Sequence, residues 1–264
     1  MTKIHLITFA DGGEGYLAGR DLLIRTATEA GWFESITAYD ENRLAEESPT
    51  WYAKHRNFIK TNRRGFGYWI WKPEIIQLKL REIGPDDLVL YLDAGCQINP
   101  KGIKRFKRYI ELAKLFGMFC FYLNGPNYTI GQWTKADLLS YFEIHLNDII
   151  LSMPQVEAGV GFYKNTKTTL KSIQFWSETM TFEDYHLVND SPSRATEARE
   201  FIEHRHDQSV FSLIHYTQRW GKSIRNENYF PLHWQTNNHP EVFPIAATRY
   251  ISQSRTNLLG INRL

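Results

Sequence analysis

An aspartate that ends an apolar run is the first residue in this chain with the makings of chemistry. Leu88-Val89-Leu90-Tyr91-Leu92 is apolar throughout and stops at Asp93-Ala94-Gly95. Such a run reads as a central strand buried on both faces, and open α/β sheets bind ligands beyond the carboxyl ends of such strands. A carboxylate placed there can coordinate a divalent cation held between two phosphates, and oxygen ligands suit Mg²⁺ or Mn²⁺. The cation would offset charge growing on a leaving diphosphate. The competing reading makes Asp93 a strand-terminal residue that caps a turn, and by spacing alone the two stand nearly level. Gly95 would let backbone approach a ligand closely.

Three further segments carry reactive or binding side chains. Thr61 to Pro73 interleaves Arg63, Arg64 and Lys72 with Phe66, Tyr68, Trp69 and Trp71 and two glycines, without a clear period. The cations could balance phosphate charge and the rings could shape a base or sugar pocket. The alternative is an aromatic-rich packed loop. Glu203-His204-Arg205-His206-Asp207-Gln208 is polar throughout and precedes the apolar Val210 to Ile214. A polar cluster at a helix start can accept hydrogen bonds from a sugar or act as a base. A solvated turn with Asp207 as helix cap is the alternative. A zinc site from His204, His206 and His215 matches no strong metal spacing. In Gln155-Val156-Glu157-Ala158-Gly159-Val160-Gly161, Glu157 could bind a sugar hydroxyl or act as a base, and the small residues leave room for a substrate; an ordinary strand edge fits equally well. His233 and His239, near the end, could reach a metal or phosphate, or be packed or surface histidines.

The elements that must position these groups alternate in type. Ile4 to Phe9 reads as a strand, Tyr16 to Ala30 as a helix closed by Gly31, and Ser35 to Tyr39 as a second strand. Trp51 to Lys60 and Pro73 to Glu82 are helical patterns, followed by a turn and the Leu88–Leu92 strand. A helix is expected from Pro100 to Lys114, a strand over Met118 to Leu123, and a helix over Lys135 to Phe142 capped by Thr134. Val156 to Tyr163 reads as a strand, Lys167 to Met180 as an amphipathic helix, and Asn189 to Arg194 as a polar loop. Asp207 caps or opens a helix reaching Trp220. Beyond Tyr229 there is little periodicity. The whole reads as α/β, a mostly parallel central sheet with helices on both faces.

The chain has 264 residues, no long Gly/Ser/Pro linker and no internal repeat, so one core with elaborated loops is expected. Aromatics make up 14% of residues, enough to line a pocket as well as fill a core. The net charge of +2 gives no reason to expect nucleic acid. Lys101, Lys104, Arg105, Lys107 and Arg108 read first as a solvated helix face, and second as a contact with an anionic membrane surface or phosphate-bearing substrate. Cys96 and Cys120 form no disulfide framework and read as small buried residues in a reducing compartment. The first ten residues lack a signal-peptide pattern, and no apolar stretch approaches the roughly 18 residues of a membrane span. A cytoplasmic location is expected, with peripheral association at the inner membrane surface open. A G-x-S-x-G elbow, a G-x-G-x-x-G loop and a G-x-x-x-x-G-K-[ST] loop are all absent, which disfavours α/β-hydrolases and the common nucleotide folds.

Taken in order, Ile4 to Phe9, Gly67-Tyr68-Trp69-Ile70-Trp71-Lys72-Pro73, Tyr91-Leu92-Asp93-Ala94-Gly95, Glu157-Ala158-Gly159-Val160 and His206-Asp207-Gln208-Ser209 resemble bacterial and viral glycosyltransferases of the GT-A fold, especially small polysaccharide-type transferases. The matching pieces span roughly residues 1–220. The resemblance implies one GT-A-like domain over 1–264, with 221–264 as an irregular segment that can close the site. It puts Thr8 and Phe9 beside the base or ribose, with Arg63, Trp69, Lys72, Asp93 and Gly95 also at the donor. Asp93 matches the first acid of the family's D-x-D motif. Gly95 stands where the second acid would be, so a Mn²⁺ or Mg²⁺ ion would have fewer protein carboxylates. Asp207 and Gln208 match the late pair near the donor sugar, and with Glu157 they are the catalytic candidates. His233 falls near the place of a histidine that completes the metal site in retaining members. The reaction implied is transfer from a nucleotide-sugar, a UDP-sugar favoured, to a glycan or lipid-linked acceptor in surface polysaccharide synthesis, with retention favoured. A nucleotidyltransferase and a non-catalytic carbohydrate-binding protein are the alternatives.

Overall fold

A computed structural model describes residues 2–228 and 243–247. The chain opens with β1 (Ile4–Phe9), whose six residues are all buried. Helix α1 (Glu14–Ala30) follows and ends at Gly31, whose φ of 67° lets its N–H reach the Ala27 and Thr28 carbonyls. Next come β2 (Ser35–Tyr39), α2 (Glu41–Glu47) and α3 (Pro49–Thr61), which starts on its proline. A short, distorted α4 (Gly65–Tyr68) leads into α5 (Trp71–Glu82) and then β3 (Leu88–Leu92). Strand β4 (Cys96–Ile98), α6 (Ile103–Phe116) and β5 (Met118–Tyr122) follow. After α7 (Ile130–Trp133) and α8 (Ala136–Tyr141), β6 (Val156–Lys164) runs into α9 (Lys167–Tyr185), which leaves helical geometry at Phe182–Asp184. Helix α10 (Asp207–Thr217), β7 (Lys222–Arg225) and β8 (Ile245–Ala247) complete the described elements.

Among the described residues, six strands form one sheet in the order β2-β1-β3-β6-β5-β7. Strand β1 is parallel to β2 and β3, and β5 is parallel to β7. Only β6 within this sheet runs antiparallel to both neighbours. The chain therefore forms the mostly parallel α/β sheet expected, with helices on both faces, consistent with a GT-A-like architecture.

Alternation along the strands sorts the core into two layers. Leu88, Leu90 and Leu92 of β3 join the layer under α1 and α6, with Leu23, Phe106 and Tyr109. Val89 and Tyr91 face the other layer, with Ile75 and Ile76 of α5, Trp176 of α9 and Phe211 of α10. Period two carries the same side on to Asp93, which is how a strand-end carboxylate comes to face α5 and α10.

Two local expectations differ from what forms, and one open alternative is resolved. The Thr134 hydroxyl does not cap α8; it accepts from the Gln155 amide at 3.1 Å, and Lys135 takes the cap position. Of the two roles expected of Asp207, capping α10 or opening it, it takes the second, as the first helical residue after His206. Two short strands, β7 and β8, fall inside the segment read as irregular. Strand β8 pairs with β4, and the Pro244 carbonyl accepts from the Asn99 N–H at 2.8 Å. No helix among the described residues is long and apolar enough to cross a membrane.

Candidate active site

Three charged side chains from distant parts of the chain meet at the carboxyl end of β3. The Lys72 ammonium, at the start of α5, donates to Asp207 Oδ2 at 2.5 Å and lies 3.6 Å from Asp93 Oδ1. Exposure separates the partners: the Lys72 and Asp207 side chains are 3% and 7% exposed, whereas that of Asp93 is 49% exposed. Asp93 is therefore the member of the trio that solvent or a ligand can reach.

The rest of the site fixes Asp93. Its N–H donates to the Gly159 carbonyl at 2.9 Å, extending the β3–β6 pairing by one residue. The Tyr91 hydroxyl, two residues back on the same side of the strand, donates to Asp93 Oδ1 at 2.6 Å. Burial, and then the Asp93 charge, push the Tyr91 hydroxyl well above its ordinary range, so it stays a donor. Gly159 makes room for the carboxylate: a Cβ there would sit 2.6 Å from Asp93 Oδ2. The small residues after Glu157 thus accommodate a protein side chain, where the sequence reading gave the space to a substrate. The Lys72 ammonium also lies 5.1 Å from the centre of the Tyr91 ring, a cation–π approach.

Two carboxylates sharing one ammonium leave the trio one positive charge short. Burial opposes the Lys72 charge, but Asp207 and Asp93 outweigh it and raise its pKa above the ordinary lysine value. Burial pushes the Asp207 carboxyl up to about 6; Lys72 pulls it down and Asp93 adds to the rise. With all three groups ionised the trio carries one net negative charge, which attracts a cation.

Beside the trio, the distorted segment after α3 packs on the residue preceding α10. Phe66, Tyr68, Trp69 and His206 all adopt positive φ without being glycine. Such conformations cost of order 1–3 kcal/mol each and concentrate at functional sites. The Trp69 ring stacks on the His206 ring at 5.7 Å, and the Tyr68 ring lies 4.7 Å from it. His206 donates through Nδ1 to the Val188 carbonyl at 2.8 Å, and burial lowers its pKa, so it is neutral near pH 7. Arg64 bonds Glu203 at 2.6 Å and Asp190 at 3.4 Å, so it is held by carboxylates.

The predicted site residues therefore separate. Lys72, Asp93 and Asp207 meet, with Gln208 next along α10 and half-buried, its amide 3.4 Å from Gln155 Oε1. Phe9 stands one strand away, 6% exposed and stacked on Trp71 at 3.8 Å. Thr8 is fully buried, and its hydroxyl has no partner among the described residues. Arg63 is exposed, and Gly95 lies in the turn after Asp93. Glu157 is buried, with Oε2 accepting from the Asn228 amide at 2.7 Å. His233 lies outside the described residues. The sequence reading missed Tyr91 as a partner of Asp93, although period two on a strand already places both on one side. It also missed Asp190, whose link to Arg64 has no local signal.

Whether this donor set suits a divalent cation turns on the free carboxylate oxygens. Asp93 Oδ1 faces Tyr91 and Lys72, Asp207 is bound to Lys72, and Gly95 offers no side chain. Among the described residues no three His, Cys, Asp or Glu gather in a way that could hold a metal. Asp207 Oδ1 is not engaged by Lys72 but sits on a side chain only 7% exposed, so the accessible oxygen is Asp93 Oδ2. That fits Mg²⁺ or Mn²⁺ held by one carboxylate and completed by substrate phosphates and water, a common arrangement for Mg²⁺.

No family model matches the chain, and no curated protein matches it. Among solved structures, a glycosyltransferase involved in the glycosylation of the major capsid of PBCV-1 aligns with 92% of this chain and 91% of its own, at 12% identity and a TM-score of 0.49. Mouse xyloside xylosyltransferase 1, in its apo form, aligns with 90% of each chain at 10% identity and a TM-score of 0.46. Likeness this distant leaves the functional reading to the site itself.

Proposed function

We propose that this protein is a glycosyltransferase that moves a sugar from a nucleotide-sugar donor, a UDP-sugar favoured, to a glycan or lipid-linked acceptor in surface polysaccharide synthesis. One observation carries the reading. Asp93, half-exposed at a strand end, and Asp207, buried at a helix start, converge on one buried lysine in a site that is net negative. Both acids are the ones the GT-A resemblance singles out.

The chemistry follows from that charge. As the diphosphate leaves, the anomeric carbon of the donor gains positive charge, which an adjacent carboxylate stabilises. Asp207, with Gln208 beside it, is the group for the donor sugar, and retention of configuration is favoured. Lys72 keeps Asp207 and Asp93 at fixed separation, so neither must reorganise during transfer. Asp93 Oδ2 would hold Mg²⁺ or Mn²⁺, which when bound supplies positive charge to the departing diphosphate. Phe9, Trp69 and Arg63 are the remaining donor contacts proposed, for the base, the sugar and the phosphates respectively.

The test is a thermal-shift panel of UDP, GDP, CMP and their common sugar conjugates on the purified chain, each with and without Mn²⁺ or Mg²⁺. A selective rise in melting temperature with one nucleotide class is expected, through preferential binding to the folded state. It should depend on the cation and disappear in Asp93→Asn. Well-folded protein that responds to no nucleotide would overturn the proposal in favour of a carbohydrate-binding role.

A further inference from the structure

We propose that the solvent face of α6, with the groove at its end, is a docking face for an anionic phospholipid bilayer. The helix buries Phe106, Tyr109 and Ala113 against the sheet. Its other side exposes Lys104, Lys107, Arg108 and Lys114, with Glu111 the one acid among them. Arg105 turns instead to Glu227, and Arg108 lies 4.0 Å from Glu111. The whole chain carries a net charge of only +2, so this helix, with five cations and one acid, concentrates positive charge on one surface.

Charge alone would fit several polyanions. The end of the helix narrows the choice. Leu115 is 75% exposed and Phe116 45% exposed, directly after Lys114. Phe116 also lines a groove of about 420 Å³ shared with Lys171, Phe175, Arg219 and Trp220. Among the described residues, Lys171 and Arg219 have no carboxylate partner. Apolar side chains that project beside a row of cations match the layered chemistry of a bilayer surface. The exposed Leu115 and Phe116 enter the boundary with the acyl chains while the cations meet the headgroups. A nucleic-acid strand would engage the cations and gain nothing from Leu115.

Geometry keeps this face apart from the candidate active site. Phe116 precedes β5, whose first residue, Met118, is level with Tyr163, and Tyr163 is level with Val89, the residue after Leu88 at the start of β3. The apolar tip therefore lies toward the end of the sheet opposite Asp93. At 1.5 Å per residue the helix offers a row of roughly 20 Å along the side of the molecule. A bilayer docked there leaves the site uncovered, and the inference holds whether or not the chain transfers sugars.

Sedimentation of the purified chain with vesicles tests it. Vesicles of phosphatidylglycerol and phosphatidylcholine in equal parts should bind the protein, and phosphatidylcholine alone should bind it poorly. Lys107→Gln with Lys114→Gln should weaken binding roughly fivefold for each cation removed, and added salt should weaken it further. Leu115→Ser with Phe116→Ser should abolish the portion that survives salt. All four positions are exposed, so unchanged thermal melting is expected and verifies that the variants fold. Equal binding to both vesicle types, or binding untouched by both variant pairs, would overturn the proposal. Tight binding to single-stranded RNA that requires Lys107 and Lys114 but not Leu115 or Phe116, without vesicle binding, would reassign the face to nucleic acid.

Discussion

The two carboxylates of the candidate site are held by opposite means. Asp93 ends a fully buried strand, and sheet register, a neighbouring tyrosine and a glycine across the ladder set its position. Asp207 follows a long irregular stretch that regular structure does not hold. There, charged and polar side chains do the holding. Lys135, almost fully buried, donates to the carbonyls of His186 and Ser191 at 2.8 Å each. Asp137 bonds His186 and accepts the N–H groups of Arg194 and Ala195. His204 and His206 reach the carbonyls of Leu187 and Val188. One half of the site thus rests on apolar packing and the other on polar ties, and the two halves should fail differently.

The largest effect should come from the residue that joins them. Lys72→Met leaves Asp207 buried without its partner, and breaking a buried ion pair from one side costs about 3–5 kcal/mol. Urea unfolding should show that loss, and Lys72→Met with Asp207→Asn should recover a substantial part of it. A single variant as stable as the wild type would mean that Asp207 is held by the loop alone. Asp93→Asn should reverse the balance. Its half-exposed side chain predicts a stability change below about 1 kcal/mol. The transfer rate with the donor identified by the binding panel should fall about 10²- to 10³-fold, the scale for removal of one electrostatic group acting on the transition state. A rate within a few-fold of wild type would remove Asp93 from the chemistry.

The same contrast governs what the sequence disclosed. Strand β3 and the placing of Asp93 at its end were readable, because a five-residue apolar run stopped by an acid is a local signal. Strand β2 was read to the residue, and α1 closes at the glycine that marks it. The antiparallel direction of β6 was not readable, since direction depends on the crossover and not on composition. Lys72 looked like a phosphate contact because its two partners lie 21 and 135 residues away along the chain. Lys135 attracted no attention, since nothing in its neighbourhood says that three loop residues will close over it. A lysine buried by tertiary contacts looks, in sequence, like any surface lysine.

Smaller effects should map the polar half. Lys135→Met removes the donor shared by the loop carbonyls, and groups left buried without partners cost about 1–3 kcal/mol each. Because the loop can open to water, a total of roughly 2–3 kcal/mol is expected. Faster amide exchange confined to residues 186–206 is the accompanying sign. Exchange that rises equally in β3 would show that the loop and sheet unfold together, and the contrast between the halves would not stand.

The smallest expected effect concerns the start of that loop, which α3 holds. His55 Nδ1 pairs with the Tyr185 hydroxyl at 2.7 Å, and the Tyr185 ring stacks on Phe58 at 3.7 Å. Burial, with Lys54 adding, depresses the His55 pKa from 6.5 to about 4. A depressed folded-state pKa contributes stability that is complete above the unfolded value of 6.5 and is lost as the pH falls toward 4. Between about pH 7 and about pH 5 that loss amounts to roughly 2 kcal/mol. His5, His204, His206 and His215 are also shifted down by burial, so wild-type stability should decline more steeply than His55 alone requires. His55→Gln isolates one contribution: it should lower stability at pH 7 and flatten the decline by roughly 2 kcal/mol. An unchanged slope in urea unfolding across this range would mean that His55 is already open to protons, and that the tie between α3 and Tyr185 opens before the protein unfolds.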